Sequence, residues 1–123
     1  MENLKVRYSK YIPFKGYFAI TLFDYMVIRE ENRNRAILIT TWNHENWHAS
    51  QVRDFYIGWC GYFIFYFLYV LEWVLKLPFA LFGYKPYRSI SFEQDAFANQ
   101  DKTEKLYNRK KFSWVKYIFK LVK

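Results

Sequence analysis

Thr40-Thr41-Trp42-Asn43-His44-Glu45-Asn46-Trp47-His48 places two histidines four residues apart, with a glutamate directly after the first. On a helix, positions four apart lie one turn above the other on the same face. Each imidazole can then offer one ring nitrogen to a single Zn²⁺ at about 2.1 Å. Glu45 lies off that line but close enough to reach a water at the metal. Its expected role is general base, taking the water's proton and later handing it to the leaving amine. The chain contains two histidines, and both are in this motif. Thr40 and Thr41 are candidate N-caps. No proline follows until Pro78. The expectation is an active-site helix over residues 40–54 and an apolar helix over 55–77, continuous or broken near Gly58 or Gly61.

A catalytic zinc site needs three protein ligands and one open position. There is no third histidine, and the single cysteine, Cys60, falls in an apolar run where a small buried hydrophobe is expected. The third ligand is therefore expected to be a carboxylate, with Glu72, Glu93, Asp95, Asp101 and Glu104 as the downstream candidates. Glu72 would have to fold back from the same helix. Glu93 stands at the start of the next expected helix, residues 89–107, capped by Ser89 or Ser91. Packed antiparallel or crosswise, that helix can bring Glu93 to the metal. The plainer alternative is a first-turn acid that favours the helix dipole.

Outward from these motifs, residues 17–28 are rich in β-branched and aromatic residues and read as a strand. Residues 30–34 read as a polar turn and 35–39 as a returning strand, giving a hairpin over 17–39. Residues 1–15 are basic and aromatic, with Pro13 and Gly16 as punctuation. Residues 55–71 carry no charge. As a helix they span roughly 25 Å, short of a ~30 Å hydrocarbon core. Tyr56, Tyr62, Tyr66 and Tyr69 interrupt that run with groups a lipid-buried helix avoids at mid-depth. Three readings stay open: a short or tilted membrane helix, a helix lying in the interface, and a buried core or dimer helix. Residues 112–122 are expected to form a short helix with Lys116, Lys120 and Lys123 together and Phe112, Val115, Phe119 and Val122 on another face. That pattern suits a lipid surface, or equally a docking helix with solvated lysines.

At 123 residues the chain supports one domain, of mainly helical α+β class. The net charge is +8, with seven basic residues and no acid from Lys105 onward. Together with 24% aromatic residues, this points to an anionic or membrane interface. Nucleic-acid binding lacks a fingerprint motif. One cysteine excludes an intramolecular disulfide. Residues 17–23 are apolar, but Asp24 and Arg29 follow without a small-residue cleavage site, unlike a cleavable signal peptide.

The pair His44-Glu45-Asn46-Trp47-His48 and Glu93-Gln94-Asp95-Ala96 resembles the gluzincin metallopeptidases. The short hairpin, active-site helix and glutamate helix resemble the minigluzincins. The hydrophobic insert between the motifs is similar to that of membrane-embedded gluzincins of the prenyl-protease and antibiotic-sensor types. Asn43 through Gln51, with Tyr87-Arg88-Ser89-Ile90-Ser91-Phe92-Glu93, also resembles small zincin-like proteins of Bacteroidetes and their phages. The resemblance implies His44, His48 and Glu93 as ligands of one zinc ion and Glu45 as the base. In many gluzincins an Asp four residues after the ligand Glu supports a motif histidine. Phe97 stands there in this chain, with Asp95 and Asn99 as substitutes. Arg88 and Tyr87 are candidate donors to a developing oxyanion. The edge strand that binds substrate in the family corresponds to Ala19, Ile20, Thr21, Leu22 and Phe23. The expected function is zinc-dependent hydrolysis of a peptide or protein substrate, membrane-associated and at the cytoplasmic membrane, with a soluble cytoplasmic location and an oligomer as open options. The alternative is a non-catalytic zinc-binding membrane or interaction protein with a vestigial site.

Overall fold

The computed structural model describes residues 4–13, 15, 17–23, 25–55 and 60–123. The α+β class and the helical majority are as expected. Three strands, β1 (Lys5–Ser9), β2 (Ala19–Leu22) and β3 (Tyr25–Arg29), form a sheet of order β1-β3-β2. β1 runs parallel to β3 and β2 antiparallel to it. The hairpin is therefore tighter than expected. Both its strands come from the single run read as one strand, and residues 35–39 form no strand. Leu22 faces Tyr25 across the turn, where Phe23 takes φ 53°, a conformation rare for an aromatic residue. No glycine marks this turn, so the run gave no sign of it. The Gly16 punctuation lies outside the described residues.

Behind the sheet lies α1 (Ile39–Arg53). It begins at Ile39 with Leu38 as N-cap and no side-chain cap bond, so Thr40 and Thr41 sit inside its first turn rather than capping it. Its middle is buried on nearly all sides, polar residues included. Each buried amide has partners. Asn46 accepts the Leu4 amide at 2.9 Å and donates to the Trp42 carbonyl, tying α1 to the start of β1. Asn43 donates to the Gln100 carbonyl and accepts from Thr103. Burial without such bonds would cost about 1–3 kcal/mol per group.

The apolar helix α2 (Cys60–Lys76) follows, and a 3₁₀ segment, Leu77–Phe82, extends it to Gly83, which closes it at φ 89°. Among the break candidates, Gly58 lies outside the described residues, while Gly61 is inside α2. A Cβ there would stand 3.1 Å from the Val52 carbonyl, so Gly61 lets α2 approach the end of α1. Cys60 is exposed rather than buried, because it stands about 100° round the helix from the Gly61 contact.

The expected 89–107 helix is three pieces: α3 (Pro86–Ser89), α4 (Ser91–Asn99) and α5 (Thr103–Tyr107). Neither serine caps α4 with its own side chain. Glu72 of α2 does so instead, accepting the Ser91 amide and the Ser91 hydroxyl, each at 2.6 Å. Its charge also meets the positive end of the helix. Lys76 binds Glu72 and the Ser89 carbonyl, which locks α2 to the α3–α4 corner.

Residues 112–122 form no helix beyond a 3₁₀ turn, Val115–Tyr117. The residues that pack inward are Trp114 and Ile118, against Val52, Phe65 and Phe92, while Phe112, Val115 and Phe119 are exposed. Tail carbonyls are held by other elements: Lys120 by Lys76 and Gln94, Val122 by the Lys85 amide. Backbone groups bound sideways in this way replace the helical ladder.

Candidate metal centre

His44 and His48 project from one face of α1, and Glu93 arrives from the first turn of α4. His44 Nε2 lies 2.8 Å and His48 Nε2 3.1 Å from Glu93 Oε1, and the two nitrogens are 3.2 Å apart. All three side chains are buried. Three ligands about 2.1 Å from a tetrahedral metal stand roughly 3.4 Å from one another. A metal ion therefore fits once the cluster opens by a few tenths of an ångström. Among the described residues this is the one group of His, Cys, Asp and Glu side chains able to hold a metal ion.

The outer nitrogens support the same orientation. His44 Nδ1 meets Gln100 Oε1 at 2.7 Å, and His48 Nδ1 meets Gln51 Oε1 at 2.8 Å. Gln51 is itself oriented, because its Nε2 donates to the Phe92 carbonyl and to Asp95. With the Nδ1 protons donated outward, both Nε2 lone pairs point at the metal position. Asp95 thus supports His48 indirectly, through Gln51, and is held by Trp47 and Ser113 as well. Asn99 binds Asp95 and does not reach the histidines. Phe97, where the resemblance expects an Asp, packs its ring 4.4 Å from that of His44, and the Arg88 guanidinium stacks over the Phe97 ring, 3.8 Å from its centroid. Arg88 is thereby committed to Phe97 and lines no part of the cavity at the site. Of the other carboxylates considered as ligands, Glu72 caps α4, Asp101 pairs with Lys105 on the surface, and Glu104 is exposed on α5.

Without a metal, His48 and Glu93 form a buried ion pair. Burial opposes charge on both partners, but Glu93 beside it pushes His48 up to about 9, and His48 and His44 hold Glu93 well below the carboxylate range. Glu45 is pushed up by burial, an effect the two histidines partly offset. Its Oε2 accepts the Thr21 hydroxyl at 2.7 Å, which aims the carboxylate across the site from β2.

A cavity of about 540 Å³ opens beside the triad, between β2, the Tyr11–Pro13 segment and α2. Its polar lining is concentrated at Glu45, His48, Glu93 and Thr21; its walls are aromatic and aliphatic, including Tyr17, Phe65 and Trp73. Tyr69 donates to Glu93 Oε2 at 2.5 Å, and Tyr87 also lines the cavity. Burial, with Glu93 and Glu45 nearby, pushes the Tyr87 phenol up, so it remains a protonated donor. Of the expected edge strand, Ala19, Ile20 and Thr21 line the cavity, Leu22 ends β2, and Phe23 belongs to the turn. Tyr66 donates to the Thr21 carbonyl at 2.6 Å, so a substrate strand pairing there would have to displace that hydroxyl. Tyr66, Tyr69, Gln51 and Gln100 were missed as site residues. The tyrosines did stand out as polar tips in an apolar run, and Gln51 lies one turn beyond His48.

The chain matches no protein-family model, no curated protein and no solved structure.

Proposed function

We propose that this protein is a zinc-dependent metallopeptidase that works at a membrane. The observation that carries the reading is the convergence of His44, His48 and Glu93 on one point, with Glu45 held beside it by Thr21 at the head of a cavity. A zinc ion bound there would supply an acidified water and polarise the scissile carbonyl. Glu45 takes the proton from the attacking water, and its burial-raised affinity for that proton suits a group that must later return it to the leaving amine. Tyr87 supplies a protonated hydroxyl at the Glu93 side, where negative charge develops on the carbonyl oxygen, while Tyr69 keeps its proton on Glu93 and orients that ligand. The aromatic walls exclude water and favour peptides with apolar side chains. Membrane association is supported by Cys60–Phe82, a helix long and apolar enough to cross a bilayer.

Glu45→Gln tests the chemistry. Peptide hydrolysis should fall by roughly 10²–10⁴-fold with metal content retained. A second reading, a metal-binding protein without catalysis, is favoured by the Tyr66 hydroxyl on Thr21, which occupies the substrate edge. That reading expects no hydrolysis by the unaltered protein and none gained by Tyr66→Phe.

A further inference from the structure

One side of α2 and its 3₁₀ extension takes no part in the metal centre. Phe67, Val70, Leu75, Leu81 and Phe82 on that side are between 54% and 87% exposed. The two segments together run roughly 37 Å. Soluble monomers rarely leave so long an apolar stripe uncovered. The charge beside it is one-sided. Residues 73–92 contain no acid, and none follows Glu104. Lys85, Lys120 and Lys123 are exposed at the Phe82 end. They are grouped there by the fold: the Lys85 amide binds the Val122 carbonyl, Lys123 lies over the Tyr84 ring, and Lys76 at the end of α2 holds the Lys120 carbonyl. Phe119, beside Lys120, is 97% exposed.

We infer that this side docks flat on an anionic lipid surface, with the apolar stripe in the acyl boundary and the lysines among the phosphates. Spanning the bilayer is disfavoured by the rest of the molecule. β1 lies at the outer edge of the sheet, and an open sheet edge is not tolerated in hydrocarbon. The opposite face of α2 is also committed to the sheet, α1 and α4. A second copy seated on the stripe would cover Val70, which belongs to the stripe and also lines the cavity. A lipid surface leaves that rim facing the acyl boundary. Docking of this kind rests on the membrane association in the proposed function and not on its peptidase chemistry.

The test uses the full chain, metal loaded or not, floated with vesicles of phosphatidylcholine alone or with phosphatidylglycerol. The protein should bind the anionic vesicles and lose at least tenfold in affinity as Leu75→Glu/Phe82→Glu. Lys120→Glu/Lys123→Glu should remove the preference for phosphatidylglycerol. Brominated acyl chains should quench tryptophan emission, and less so in Trp73→Phe. Failure to bind either vesicle, binding indifferent to both double variants, or a solution dimer that Leu75→Glu dissociates would each overturn the inference.

Discussion

On the inner face of α2, Phe65 packs on Phe92, Tyr66 holds Thr21, Tyr69 holds Glu93, and Glu72 caps α4. On the outer face, Phe67, Leu71, Val74 and Leu75 stand exposed. Both faces are apolar by composition, and hydropathy alone gives them one meaning. What separates them is the distribution of hydroxyl and charged tips. Tyr62, Tyr66, Tyr69 and Lys76 fall at intervals of three to seven, the helical repeat, so they mark the face that must satisfy polar partners inside the protein.

The comparison breaks most visibly at Phe65. Phe65→Ala should destabilise the fold by about 3–5 kcal/mol, measured by denaturant unfolding, because the cavity lies among Phe92, Tyr69 and His48 and cannot collapse freely. Tyr69→Phe removes one hydroxyl from the same face. Metal affinity should drop by about 10–100-fold in a competition titration, because Glu93 loses the donor that orients its second oxygen.

Acid–base behaviour sharpens the same contrast, since the inner face borders the titrating triad. His48 in the metal-free protein sits at about 9, above its ordinary value, so its proton contributes stability that is fully present below about 6.5 and is lost as pH rises through about 9. A metal ion must displace that proton. Its affinity should therefore climb about tenfold per pH unit toward pH 9, as read by titration with a chelator competitor. The smallest effect is expected outside. Leu75→Glu should change unfolding stability in vesicle-free buffer by no more than about 0.5 kcal/mol.

Much of the candidate metal site was legible before the fold, because helical spacing is local physics. His44 and His48 needed only one turn of helix, and Glu93 needed only a second helix crossing the first. The partners that orient them were not legible. Gln100 reaches His44 across 56 residues and Tyr69 reaches Glu93 across 24, distances no periodicity reports. The hairpin was misplaced because its turn uses Phe23 at positive φ instead of a glycine. The C-terminal helix failed for a related reason: Trp114 and Ile118 anchor the tail, while Lys76, Gln94 and Lys85 take up its backbone groups. Tertiary bonds there outweighed an amphipathic pattern.

The central claim is that α1 and α4 together hold one metal ion through His44, His48 and Glu93. Metal analysis of the purified protein beside Glu93→Ala tests it most directly. The account predicts one zinc per chain in the unaltered protein and a large loss in the variant, with both folded by circular dichroism. Zinc absent from both, or equally retained by both, would contradict it.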